Sequence, residues 1–264
     1  MGDVYGERVR PRRRWGRRLL ITFIVLVLLL LAIAAVADRV AASYAERTIS
    51  DRVTQQVENQ KATSEKPDVK IEGIPFLTQV ARGEYHEIKI GLANFAGPAG
   101  DGRTIKMKSL DITANDVRAP LETLRTGNGD IVAGTVTGAG LIDYAQLVEL
   151  VGQPGVKLAE KDGKLTGSAP VQVLGQTVTV SGTADLAVQA DNVVQVHFAD
   201  VTAAGLPDNA IVRGLINTYV QKLAFNLTVP ALPLNLKVKS VEPRPDGLLV
   251  TAKAANVPLN SNGL

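Results

Sequence analysis

The side chains that catalysis uses most are scarce in this chain and carry no matching spacing. There are two histidines, His86 and His197, and no cysteine. His197 shares a strand face with Gln195 and opposes Val194, Val196 and Phe198, which points it to solvent. His86 stands in phase with Ile88 at a strand end. No His-Glu-x-x-His occurs, so the helical zinc site is absent. No Gly-x-Ser-x-Gly occurs either, and Ser168 lies in Thr-Gly-Ser-Ala-Pro inside an expected strand. Gly97, Gly100 and Gly102 superficially match a phosphate loop, but no Gly-Lys-Ser/Thr follows and the next element is a strand. They read as a flexible connection. Asp111, Asp116 and Glu122 fit no metal-loop spacing and read as solvated surface. The sequon at Asn226 and Thr228 matters only in a eukaryotic cell. These residues predict a protein without catalytic residues, cofactor or metal, and not an enzyme.

The chemistry on offer is apolar. Nineteen residues, 19–37, run without a charge, and Arg8, Arg10, Arg12, Arg13, Arg14, Arg17 and Arg18 precede them. At about 1.5 Å per residue this makes a helix of about 28 Å, close to the hydrocarbon thickness of a bilayer. Arginines beside such a helix stay in the cytoplasm. The expected product is a single-pass plasma-membrane protein, N-terminus inside, with the rest of the chain extracytoplasmic. Ala35, Val36 and Ala37 before Asp38 also fit a small-x-small cleavage site, so secretion after signal cleavage stays open as an alternative. The run exceeds the usual h-region of about 7–15 residues.

Charge supports this division. The chain carries 29 basic and 26 acidic side chains, of which residues 1–18 hold seven Arg against Asp3 and Glu7. The remaining 22 basic and 24 acidic groups leave the folded part slightly acidic. The pI near 9.1 therefore belongs to the tail. A nucleic-acid partner is not expected, because that needs a basic face on the domain itself. The expected divisions are a basic tail (1–18), an anchor or signal (19–37), a helical stalk and linker (38–68) and a domain (69–264).

The elements that would position apolar side chains follow. Residues 39–60 contain no Gly or Pro, and Ala45, Ile49, Val53 and Val57 make a narrow stripe; this reads as a helix continuing from the membrane, or packed lightly on the domain. Residues 61–68 read as a polar linker. A short strand over 69–74 leads to Pro75 and a short helix carrying Phe76, Leu77, Val80 and Ala81, closed by Gly83. Residues 84–92 return to strand with Ile88, Ile90 and Leu92 on one face. Residues 104–114 form another, whose phase changes between Met107 and Leu110, which suggests a bulge. Residues 131–141 form a strand of small residues, followed by a helix capped by Asp143 and ended by Gly152. Asp162-Gly163 marks a hairpin. Residues 177–189 alternate almost perfectly, with Val178, Val180, Gly182, Ala184, Leu186 and Val188 on the apolar side. A strand of about 44 Å must twist and curl. Residues 208–225 make the best amphipathic helix, with Leu215, Ile216 and Tyr219 in its stripe. A final hairpin turns at 244–247. The expected fold class is α+β: a long, highly curved antiparallel sheet wrapped around an amphipathic helix, preceded by one transmembrane helix.

The stretch Gly73-Ile-Pro-Phe-Leu-Thr-Gln-Val-Ala-Arg-Gly83, followed by Glu84-Tyr-His-Glu-Ile-Lys-Ile90, resembles the actinobacterial lipomannan-elongation (LmeA) family of phospholipid-binding envelope proteins. The ending Val229-Pro-Ala-Leu-Pro-Leu-Asn-Leu-Lys-Val238, with Gly247-Leu-Leu-Val-Thr-Ala252, is similar to that family's C-terminal hairpin. The resemblance covers roughly residues 45–259. It implies a tubular lipid-binding fold, phospholipid binding at the outer, periplasmic side of the plasma membrane, and a role in lipomannan-type glycolipid assembly. Its matched positions Gly73, Pro75, Phe76, Leu77 and Gly83 are structural signatures.

The leading expectation is a membrane-tethered protein that shelters an acyl chain of a phospholipid or other lipid in a groove between the sheet and helix 208–225. Candidate lipid contacts are Phe76, Leu77, Val80, Ile88, Ile90, Val180, Leu186, Leu215, Ile216 and Tyr219. The alternative is a structural or adaptor module of the envelope with no ligand.

Overall fold

The computed structural model describes residues 15–98, 104–126, 129–152, 155–173, 176–189, 193–203, 214, 225–228 and 236–259. Helix α1 (Trp15–Asn59) runs unbroken for 45 residues, and residues 17–59 contain neither Gly nor Pro to interrupt it. By length and composition its apolar part is able to cross a membrane. The expected stalk is the same helix, continued.

Three polar side chains on α1 pin its C-terminal half to the domain. Ser50 Oγ donates to the Pro67 carbonyl at 2.7 Å. Glu46 Oε1 accepts from the Ile71 amide at 3.0 Å, which satisfies an outward N–H on β1 (Asp68–Glu72), an edge strand. Asp38 Oδ1 accepts from the Leu77 amide at 2.7 Å, at the start of α2 (Phe76–Arg82). Helix α2 has no side-chain cap of its own at Pro75, so Asp38 supplies from another helix what an N-cap residue supplies locally.

The residues of the 73–83 stretch divide sharply. Gly73 has φ +103°, and a Cβ there would meet Gln79 Nε2 at 2.8 Å. Gln79 is buried, donating to the Glu72 carbonyl and accepting from the His86 amide. Phe76 is buried against Tyr85, ring centroids 6.2 Å apart. Gly83 closes α2 in the left-handed region, as expected. Ile74 and Leu77 take no part in this packing and lie exposed.

Eleven strands form two sheets. The first has the order β1, β2 (Glu84–Pro98), β3 (Thr104–Arg118), β4 (Val132–Ile142), β11 (Gly247–Pro258), β10 (Lys237–Arg244), and the second runs β5 (Lys157–Lys161), β6 (Lys164–Val173), β7 (Gln176–Val188), β8 (Val193–Ala203), β9 (Phe225–Thr228). Every neighbouring pair is antiparallel. The α+β class, the leading apolar helix and the long strands are as expected. Helix α3 (Leu121–Thr126) follows β3, and α4 (Tyr144–Val151) follows β4 with Asp143 and Gly152 in the expected capping roles. The expected helix over 208–225 falls outside the described residues, except for Gly214 and for Phe225, which opens β9.

The long strands of the first sheet share a crease. The pairings skip the rungs His86–Asp116, Asp116–Gly134 and Gly134–Asn256, which form one line across four strands. Asp116 and Asn256 take φ of 53° and 52° there, a conformation that Asp and Asn tolerate better than most residues. Each strand spends one residue at this line, so its buried face shifts phase: Tyr85 then Ile88, Ala114 then Val117, Ala133 then Val136, Ala254 then Val257. All eight still face one cluster. A second skipped rung, Asn94–Lys108, lies where the sequence suggested a bulge, and Asn94 has φ 50°. The phase change is there, but the register of β2 on β3 is the same on both sides, so this is a paired interruption and not a one-strand bulge. Interruptions of this kind add local twist.

The core has two main parts. One joins the sheets: Ile105, Met107, Ile142 and Val250 of the first meet Leu165, Val180, Val196 and Phe198 of the second, with Leu147 of α4. The other gathers α1, α2 and the first sheet around Phe76, Val117, Ala133 and Val136.

Candidate lipid-binding face

The registers of the first sheet place its apolar residues in three consecutive rungs on one face. They read Ile71–Ile88–Ala114–Val136–Ala254, then Val69–Ile90–Ile112–Gly138–Ala252–Val238, then Leu92–Leu110–Gly140–Val250–Val241. Every position is aliphatic or glycine. An adjacent rung of the opposite face reads Lys70–Lys89–Thr113–Thr137–Lys253–Lys237. A sheet this two-sided needs a cover on its aliphatic side.

The described cover is α1. Its stripe of Ala45, Ile49, Val53 and Val57, with Ala42, packs over the β1–β3 half of this face. Towards β11, Leu236 lies over Gly138, its Cδ1 3.4 Å from where a Cβ would stand. Ile88, Ile90, Leu110, Ile112, Val241 and Ala254 remain only half-buried. The glycines in β4 widen the face: a Cβ on Gly140 would meet Met107 Sδ at 2.7 Å.

The sequence-derived candidates are split by the fold. Phe76, Val80 and Ile88 share one cluster, and Ile90 sits beside them on the same face. Val180 and Leu186 lie in β7, in the inter-sheet core, away from this face. Leu77 points outward, 46 % exposed. Leu215, Ile216 and Tyr219 lie outside the described residues. Sequence reasoning missed Leu110, Ile112, Gly138, Gly140 and Ala252. The small residues of 131–141 were a usable signal for Gly138 and Gly140. Ile112 was obscured because β3 changes phase on both sides of it.

Polar features lie at the margins. A hollow of about 490 Å³ opens where β11 runs on past the start of β10, lined by Lys237, Lys239 and Lys253 together with Ala254 and Val257. Lys237 and Lys253 stand directly opposite each other, an unfavourable like-charge pair that an anion would relieve. Among the described residues no ion pair is formed by any of these three lysines. At the other edge, the Leu77 amide, the Arg39 guanidinium and the Phe76 amide hold the Asp38 carboxyl below the usual carboxylate range, against the opposing effect of burial. Burial pushes the Tyr85 hydroxyl up, keeping it neutral. His86 and His197 are both exposed, and the described residues contain no cluster of His, Cys, Asp and Glu that would hold a metal.

Comparison with known proteins adds one match. The family model described as LmeA-like phospholipid-binding matches residues 36–253, well over half the chain. No curated protein and no solved structure matches.

Proposed function

Because the chain belongs to the LmeA-like phospholipid-binding family, we propose that it is a membrane-tethered phospholipid carrier on the outer face of the plasma membrane. Residues 1–18 stay in the cytoplasm, residues 19–37 form the anchor, residues 38–68 form the stalk and linker, and residues 69–264 form the lipid-binding domain. An acyl chain lies along the aliphatic rungs of the first sheet beside the α1 stripe, touching Ile88, Ile90, Ile112 and Gly138. The phosphate-bearing head group rests at the lysine-lined hollow, whose Ala254 and Val257 also join the aliphatic cluster. Such a carrier serves the assembly of envelope glycolipids by presenting a lipid and does no bond chemistry itself.

One observation carries this reading: three rungs without a polar side chain, half-buried, flanked by a helix that continues from an apolar run. Burial contributes about 0.8 kcal/mol per methylene, so the tail needs no charged clamp. Residues 15–37 are exposed throughout and pack on nothing, so the chain from residue 38 onward keeps all the described contacts of the domain. Native mass spectrometry of that fragment, purified without detergent, is expected to find a phospholipid released on denaturation. A fragment that is repeatedly empty and takes up no labelled lipid would overturn the proposal in favour of a packed adaptor.

A further inference from the structure

The large apolar side chains exposed among the described residues lie on α1 with three exceptions, Ile74 (81 % exposed), Leu77 (46 %) and Leu121 (55 %). All three belong to one corner of the molecule. Ile74 and Leu77 flank buried Phe76 at the start of α2. Leu121 begins α3, and the chain just before it closes on the end of α2, where the Ala119 amide donates to the Gly83 carbonyl at 2.9 Å. The corner is fixed against α1 at a particular height. Asp38, the first charged residue after the apolar run, accepts from the Leu77 amide. With residues 19–37 in hydrocarbon, Asp38 stands in the head-group layer and holds Leu77 within it.

We propose that Ile74, Leu77 and Leu121 form a docking tip that inserts into the interfacial layer of the bilayer crossed by α1. The structure gives these side chains no packing role, while their neighbours Gly73, Phe76, Gln79 and Gly83 are all committed to the fold. Apolar side chains at such a surface bury about 5–10 Å into the head-group and acyl boundary. The half-exposed Arg39 guanidinium beside Asp38 suits an anionic lipid surface. Phe76, between Ile74 and Leu77, is already part of the aliphatic cluster. The tip therefore brings the bilayer to the rim of the proposed lipid path. This inference rests on the reading of residues 19–37 as the anchor, and its test separates the two.

The chain has no cysteine, so single cysteines label cleanly. In the full chain, reconstituted in bilayers containing lipids spin-labelled near the head group, Ile74→Cys, Leu77→Cys and Leu121→Cys would each carry an environment-sensitive fluorophore. Leu28→Cys marks the middle of the apolar run and Asp162→Cys an exposed hairpin turn. Quenching at the three tip positions is expected to exceed that at Asp162→Cys severalfold. Quenching no greater than at Asp162→Cys, with a Leu28→Cys probe that lipids labelled deep in the chain do quench, overturns the tip and leaves the anchor standing. A Leu28→Cys probe that no membrane label quenches overturns both. Disulfide-linked dimers through Leu77→Cys in place of lipid quenching overturn the tip in favour of a second copy of the chain.

Discussion

Phe76 and Leu77 are adjacent, both apolar and both part of the stretch that resembles the family, yet they answer to different forces. Phe76→Ala empties a packed site against Tyr85 and is expected to cost about 3–5 kcal/mol in chemical denaturation. Leu77→Ser removes no buried contact and is expected to change stability by about 0.5 kcal/mol or less. Asp38 adds a pH dependence. Its carboxyl titrates below the ordinary range in the folded protein, so its contribution is full above the unfolded value of about 3.9 and is lost as pH falls through the lower folded value. Amide exchange at Phe76 and Leu77 should stay slow, relative to the intrinsic rate, from neutral pH down to that range and then lose protection, and Asp38→Asn should remove this acid step. The sequence made the turn glycines and Phe76 legible, because φ requirements and apolar spacing are local. It could not show that Asp38 caps a helix 38 residues away, because no local rule encodes a long-range cap.

Elements were legible in proportion to their regularity. The alternation of β7 and the four-residue stripe of α1 both reappear as buried faces. Periodicity names a face without naming its partner, and so Val180 and Leu186 were assigned to a groove when they belong to the junction between sheets. The crease escaped notice because Asp116 and Asn256 look like ordinary surface residues until their rungs are aligned. Two predictions belong to this scale. Gly138→Leu should fill the aliphatic face beneath Leu236, leaving the circular dichroism spectrum unchanged while lowering the phospholipid retained by the purified protein. Lys253→Glu should turn the like-charge pair with Lys237 into an attractive one, with stability equal or higher by about 0.2–1 kcal/mol, and should reduce binding of anionic relative to zwitterionic lipids in a vesicle-uptake assay.

At the scale of the whole molecule, the unbroken course of α1 through residue 38 decides how the domain sits. The sequence divided this helix into anchor and stalk because hydropathy changes at Asp38, although nothing there interrupts the backbone. Inserting Gly-Ser-Gly between Ala37 and Asp38 should leave lipid binding by the domain intact and broaden the distribution of domain-to-bilayer distances measured by fluorescence energy transfer. In the uninterrupted chain, Asp38, Glu46 and Ser50 lock the sheets onto the same rod that stands in the bilayer. Such a rod transmits leverage. A hydrophobic segment adjusts to a thinner or thicker bilayer by changing its inclination, and each degree of lean must rock the attached sheets through the same angle. The thickness of the surrounding membrane thereby becomes a mechanical input, setting how far the open side of the sheet is pitched towards or away from the lipids beneath it.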